Sequence, residues 1–143
     1  MQDIEFKTEH GHYLIHLDEM FPCSKDKFKK VMKLVKWDWE SYDTNKEIIN
    51  QHFRSQIEEN EAKMKALANR YFIYKQNFVD TNNIIETGRF PNGVPITKTE
   101  LKDFKDKAKH YKVVYSSAEV QARQCKRLVE RYKEHLETLE GME

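Results

Sequence analysis

Glycine, proline and cysteine are scarce in this chain, with four, three and two residues among 143. A sandwich, barrel or doubly wound sheet needs a turn about every 8–12 residues, and so few turn formers cannot supply them. The two cysteines, Cys23 and Cys125, fall in different expected helices. Neither sits at ligand spacing from other metal-binding residues, so no disulfide framework, metal site or cofactor is expected, and the thiols read as those of a reduced, cytoplasmic protein. No apolar run approaches the roughly 20 residues that span a bilayer. The acidic opening Met1-Gln2-Asp3-Ile4-Glu5 predicts no secretory leader. An excess of one charge is absent as well: 25 Lys plus Arg face 24 Asp plus Glu, so no global field selects a membrane or a nucleic acid.

Catalytic signatures are missing too. There is no Gly-rich phosphate loop, no Gly-flanked nucleophilic serine, no His-Glu-x-x-His and no Cys-x-x-Cys. Cys125 lies on a helix seam and reads as a small hydrophobe. Cys23, close to an expected helix N-terminus, has a reason for a lowered pKa but no base beside it in the sequence. His10, His12 and His16 do not make a metal site, because His12 and His16 stand about 13 Å apart on an extended strand. The sequence therefore points away from an enzyme.

What is present is helical periodicity. At this length one domain, residues 1–143, is expected. Residues 1–21 read as a small β-hairpin around Gly11, with Tyr13, Ile15 and Leu17 on one face and His12, Leu14 and His16 on the other. Ser24 caps a helix expected over 24–42, with Phe28, Met32, Val35, Trp39 and Tyr42 in steps of four and three. Thr44 and Glu47 match a capping box and predict a new helix over 44–87, the alternative being one unbroken helix from 24 to 87. Its apolar line runs Ile49, Phe53, Ile57, Asn60, Met64, Leu67, Tyr71, Tyr74 and Phe78. Residues 88–96 hold two prolines and two glycines and form the one clear turn.

A second capping box, Thr97 with Glu100, opens a helix expected over 97–140. Leu101, Phe104, Ala108, Tyr111, Tyr115, Ala118, Ala122, Cys125, Val129, Tyr132, Leu136 and Leu139 alternate steps of three and four, the signature of a sustained seam. Two helices of roughly 65 Å joined by a short loop predict an antiparallel coiled-coil hairpin. The fold class expected is thus mainly α, a long helical hairpin with a shorter helix and a small β-hairpin before it. The loop sets the register, so residue i on the first arm faces a residue near 184 minus i on the second. Phe53 should meet Val129 or Tyr132, and Tyr71 and Tyr74 should meet Tyr111 and Tyr115.

Apolar residues also fall outside the seam: Phe72, Ile73 and Val79 on one arm, Val113, Val114, Val120 and Leu128 on the other. The short first helix cannot cover them all, which predicts a homodimer or a protein partner on a helical face. Charge is uneven along the chain. Residues 62–118 carry eleven basic and five acidic residues, a net +6 against −5 for the rest. Interspersed Lys and Asp read first as a solvated exterior with i, i+4 pairs. The second reading is a binding patch of Lys63, Lys65, Arg70, Lys75, Arg89, Lys102, Lys105, Lys109 and Lys112, able to lie along an acidic partner or a nucleic acid. A third places an anionic nucleotide-like ligand between subunits at Tyr71, Tyr74, Arg70 and Tyr111. The basic stretch Lys25–Trp37 reads as a helix packed inside the fold and not as a membrane anchor. The function expected is non-catalytic: an adaptor, assembly factor or inhibitor.

Asn60 and Lys46 take seam positions where an apolar residue is expected, and such residues specify register at a cost in stability. Asn60→Leu should therefore raise the melting temperature and broaden the distribution of oligomeric states in sedimentation velocity. A less stable, uniquely assembled variant contradicts the seam assignment.

Overall fold

The computed structural model describes residues 3–8, 11–37 and 40–142, with backbone alone for Phe6, Lys7, Thr8 and His12. The chain divides into two compact units, Met1–Glu61 with Lys126–Glu143, and Ala62–Cys125. Each is built from a portion of two long antiparallel helices that pack against one another.

In the first unit, β1 (Asp3–Thr8) and β2 (Gly11–His16) pair antiparallel with Ile4 opposite Ile15. Both isoleucines are buried while Leu14, next along β2, is half exposed, so strand alternation decides which face meets the helices. The expected hairpin ends earlier than residue 21. Leu17–Met20 form a single helical turn, α1, which buries Leu17 and delivers Phe21 to the core.

The next helix, α2 (Lys25–Lys36), starts as its sequence predicts: Ser24 Oγ accepts the N–H of Lys27 at 3.2 Å. It stops six residues short of the expected 42. Its buried stripe of Phe28, Val31, Met32 and Val35 is complete by then, and the Trp37 N–H turns back to the Leu34 carbonyl, an i→i−3 bond that closes the last turn. Trp39, expected on that stripe, lies outside the described residues.

The long helix α3 (Tyr42–Thr87) begins two residues before the expected capping box. The Asn45 N–H donates to the Ser41 carbonyl at 2.8 Å, which leaves Thr44 exposed inside the first turn. No unbroken helix joins residues 24 and 87. The second capping box forms as read: the N–H of Glu100 donates to Thr97 Oγ1 and that of Thr97 to Glu100 Oε1, each at 3.1 Å, opening α4 (Lys98–Glu140). Between them Gly88 (φ +68°) and Gly93 (φ +87°) take left-handed conformations that turn the chain.

The seam pairs as its numbering predicts. Ring centroids lie 5.6 Å apart for Phe53 and Tyr132 in the first unit, and in the second 5.8 Å for Tyr71 and Tyr115 and 6.0 Å for Tyr74 and Tyr111. Asn60 is buried on the seam, where its Nδ2 donates to the Gln56 carbonyl of its own helix. Lys46 reaches the Met142 carbonyl at 3.3 Å.

The two units are unequally filled. Phe28, Phe53, Leu17, Met32, Val35, Ile49 and Leu139 are fully buried in the first, with Phe21 packed edge-on to Phe28 and Phe53. The buried apolar side chains of the second are Ala108, Tyr115, Ala118 and Cys125. Exposed there are Phe72, Ile73, Val79, Val94, Val113 and Val120. Removing a buried phenyl ring leaves a cavity that a rigid core does not refill. Phe53→Ala should cost about 3–5 kcal/mol in urea unfolding, and Phe72→Ala no more than about 0.5 kcal/mol. Equal losses at the two sites contradict this division.

Candidate functional site

Basic residues of the Ala62–Cys125 unit sort by their phase against the seam. Lys98, Lys102, Lys105, Lys109 and Lys112 recur in steps of four and three, and four of them directly follow the seam residues Leu101, Phe104, Ala108 and Tyr111. They form one stripe on one flank of α4. On α3, Lys65, Phe72, Lys75 and Val79 follow the seam residues Met64, Tyr71, Tyr74 and Phe78 in the same way. In an antiparallel pair of right-handed helices, residues one step after the seam lie on a common flank. Lys75 shows the proximity directly, its Nζ 4.6 Å from the centroid of the Tyr115 ring on α4.

Six of the nine residues singled out in the sequence thus share this flank: Lys65, Lys75, Lys102, Lys105, Lys109 and Lys112. Lys63 and Arg70 precede seam residues and belong to the other flank. Arg89 is engaged in the loop, where Nη1 donates to the Gly93 carbonyl at 2.9 Å. Among the acids of α4 in this stretch, Asp103 sits off the stripe, Asp106 stands at its edge, four residues after Lys102 and three before Lys109, and Glu100 closes the helix cap.

At four of these positions the expected i, i+4 pairs do not form: among the described residues, Lys102, Lys105, Lys109 and Lys112 meet no carboxylate within 4.0 Å. Phe72 and Val79, 67% and 39% exposed, run beside this stripe. Of the tyrosines considered for a nucleotide, Tyr71 packs edge-on to Tyr115 and Tyr74 against Tyr111.

A second cluster lies in the first unit and was hidden in the sequence, 112 residues separating its members. Cys23, just before α2, donates its backbone N–H to His135 Nε2 on α4 at 3.3 Å, and its Sγ lies 4.0 Å from the same nitrogen. His135 is fully buried, its ring stacked on Phe28 at 4.4 Å. Accepting that bond places its hydrogen on Nδ1, which has no partner. Cys23 opens on a cleft of about 540 Å³ that also meets Arg127, Arg131, Glu130 and Glu134.

The thiol expected to be acidified is the reverse. Burial pushes the Cys23 pKa up, against the pull of Lys27 and Arg131. Burial likewise holds His135 below its ordinary value, so the pair is a thiol and a neutral imidazole that tie the approach to α2 onto α4. His52 is buried beside Tyr132 and is also lowered by burial, Asp18 Oδ1 at 3.9 Å opposing. Tyr132, whose hydroxyl donates to the Phe21 carbonyl, has its pKa pushed up to about 12 by burial. Among the described residues no three His, Cys, Asp or Glu converge on a metal position. His16 Nδ1 pairs with Asp3 at 2.9 Å, and His10 lies outside the described residues. Among the described residues no helix is long and apolar enough to cross a membrane.

In comparisons with protein families, curated proteins and solved structures, the chain matches none.

His52 and His135 set a pH dependence. Both have folded pKa values below the unfolded value of about 6.5, so their stability contribution is intact above that pH. As pH falls from about 6.5 through the depressed folded values, the unfolded chain takes up protons that the folded one does not, and stability is lost. The urea midpoint should drop between pH 7.5 and 5.5, and His135→Gln should flatten that slope. A midpoint constant over this range contradicts the assignment.

Proposed function

We propose that the protein is a non-catalytic, cytoplasmic interaction protein, an adaptor, assembly factor or inhibitor, whose Ala62–Cys125 unit binds another macromolecule through its helical surface. One observation carries the reading: this unit buries only Ala108, Tyr115, Ala118 and Cys125 among its apolar residues while Phe72, Ile73, Val113 and Val120 stay more than half exposed. A helical pair with so small an interior gains from any surface that removes those side chains from water, at roughly 25 cal/mol per Å². Self-association belongs to the same reading. Val113 and Val120, seven residues apart on the outer face of α4, offer a second copy a row to pair with, and a homodimer is proposed. Free thiols at Cys23 and Cys125 fit a reducing compartment.

The nucleic-acid reading draws on the lysine flank. Lysines without carboxylate partners, repeating every 5 Å or so along α4, suit a phosphate backbone. It requires affinity that falls steeply between 50 and 200 mM salt, and salt-insensitive binding contradicts it.

Side chains kept exposed for binding are dispensable for folding. The double variant Phe72→Gln/Val113→Gln should melt at the wild-type temperature yet fail to retain the macromolecule that wild-type protein brings down from the cells that make it, identified by mass spectrometry. A marked loss of stability, or the same recovered species from both proteins, contradicts the proposal.

A further inference from the structure

We infer that the lysine flank of the Ala62–Cys125 unit is a docking surface for an acidic amphipathic helix of a partner protein. The inference rests on the reading above that this unit binds a macromolecule, and it names the partner's chemistry. Two parallel rows carry it. Phe72 and Val79 are seven residues apart, roughly 10.5 Å along α3, which is the repeat of apolar residues on the face of a packing helix. Between them the Lys75 side chain lies over Tyr115 and closes the floor of the row. Beside it runs the basic row. The seam register sets Lys112 level with Phe72 and Lys105 level with Val79, and the row from Lys102 to Lys112 covers about 15 Å. A helix with apolar residues at heptad spacing would seat two of them on Phe72 and Val79. Glutamates or aspartates at its adjoining positions would then meet the lysines, which have no carboxylate of their own.

The other occupants fit less of what is there. A single-stranded nucleic acid would use the lysines, but Phe72 is the only aromatic side chain more than half exposed on this flank, and Val79 offers a base nothing to stack on. A second copy pairing through the same flank about a two-fold axis would set the lysine row either against itself or against Phe72 and Val79, and neither row offers the lysines a carboxylate.

The test is a selection on the full-length protein. The probe is a displayed library of 28-residue heptad peptides, apolar at the seam positions and drawing Glu, Lys, Gln or Ser at each flanking position. Glu should be enriched on the flank that adjoins the apolar row. The selected peptides should bind about tenfold more weakly to Phe72→Gln, weaken similarly for Lys105→Glu/Lys109→Glu, and weaken further as salt rises. Circular dichroism establishes that both variants remain helical. Selected peptides without an acidic preference, or indifferent to Phe72→Gln, overturn the inference. So does a 20-nucleotide single strand that binds more tightly than the best peptide, or wild-type self-association that either substitution abolishes. Peptides that map to Ile73 or Val113 overturn this docking surface and leave the broader reading standing, whereas no enrichment on any face overturns both.

Discussion

The register of α3 against α4 is the constraint on which the rest depends. The loop around Gly88 and Gly93 sets it, and aromatic pairs report it: Phe53 with Tyr132 in one unit, Tyr71 with Tyr115 and Tyr74 with Tyr111 in the other. Because an α-helix assigns every residue a fixed angle, a register once set decides which side chains share a flank and at what level. In the first unit this places His135 and Tyr132 where α2 and the segment from Leu17 to Phe21 can close over them. In the second it leaves five lysines in one row beside Phe72 and Val79.

The two units then use the same pair of helices differently. Around Phe53 the helices are covered by α2 and by the hairpin face bearing Ile4 and Ile15, and the buried aromatic cluster is worth several kcal/mol per ring. In the Ala62–Cys125 unit the contact is narrowed by Ala108 and Ala118, small residues that let helices approach closely but bury little area. The tyrosines there fill the seam by edge-on packing, with Lys75 laid over one of them. Apolar surface remains, and it falls on the outside of the pair.

Much of this was legible in the sequence because helical periodicity is a local signal. The seam from Leu101 to Leu139, the pairing rule between the arms and the Thr97–Glu100 cap all follow from spacings of three and four. Boundaries set by local competition were harder to read: α2 ends at Lys36 because its stripe is complete, and α3 starts at Tyr42 because the Ser41 carbonyl takes the first helical bond. Contacts between distant residues left no sequence trace. His135 looked like one more polar residue on a charged helix, and only the fold brings Cys23 and Phe28 to it. The charge pattern lay between these cases. Lys and Asp alternate irregularly in sequence, and the lysine row becomes visible when each lysine is numbered from the seam.

The most direct test of this account is cross-linking of engineered cysteine pairs in a background with Cys23 and Cys125 replaced by serine. Lys75→Cys with Lys112→Cys puts both thiols on the same flank within about 5 Å of one level; Arg70→Cys with Lys112→Cys keeps the axial offset within about 5 Å and crosses the seam. A short bismaleimide should join the first pair rapidly and the second slowly or not at all. Equal rates, or faster joining across the seam, would contradict the register and with it the shared lysine flank.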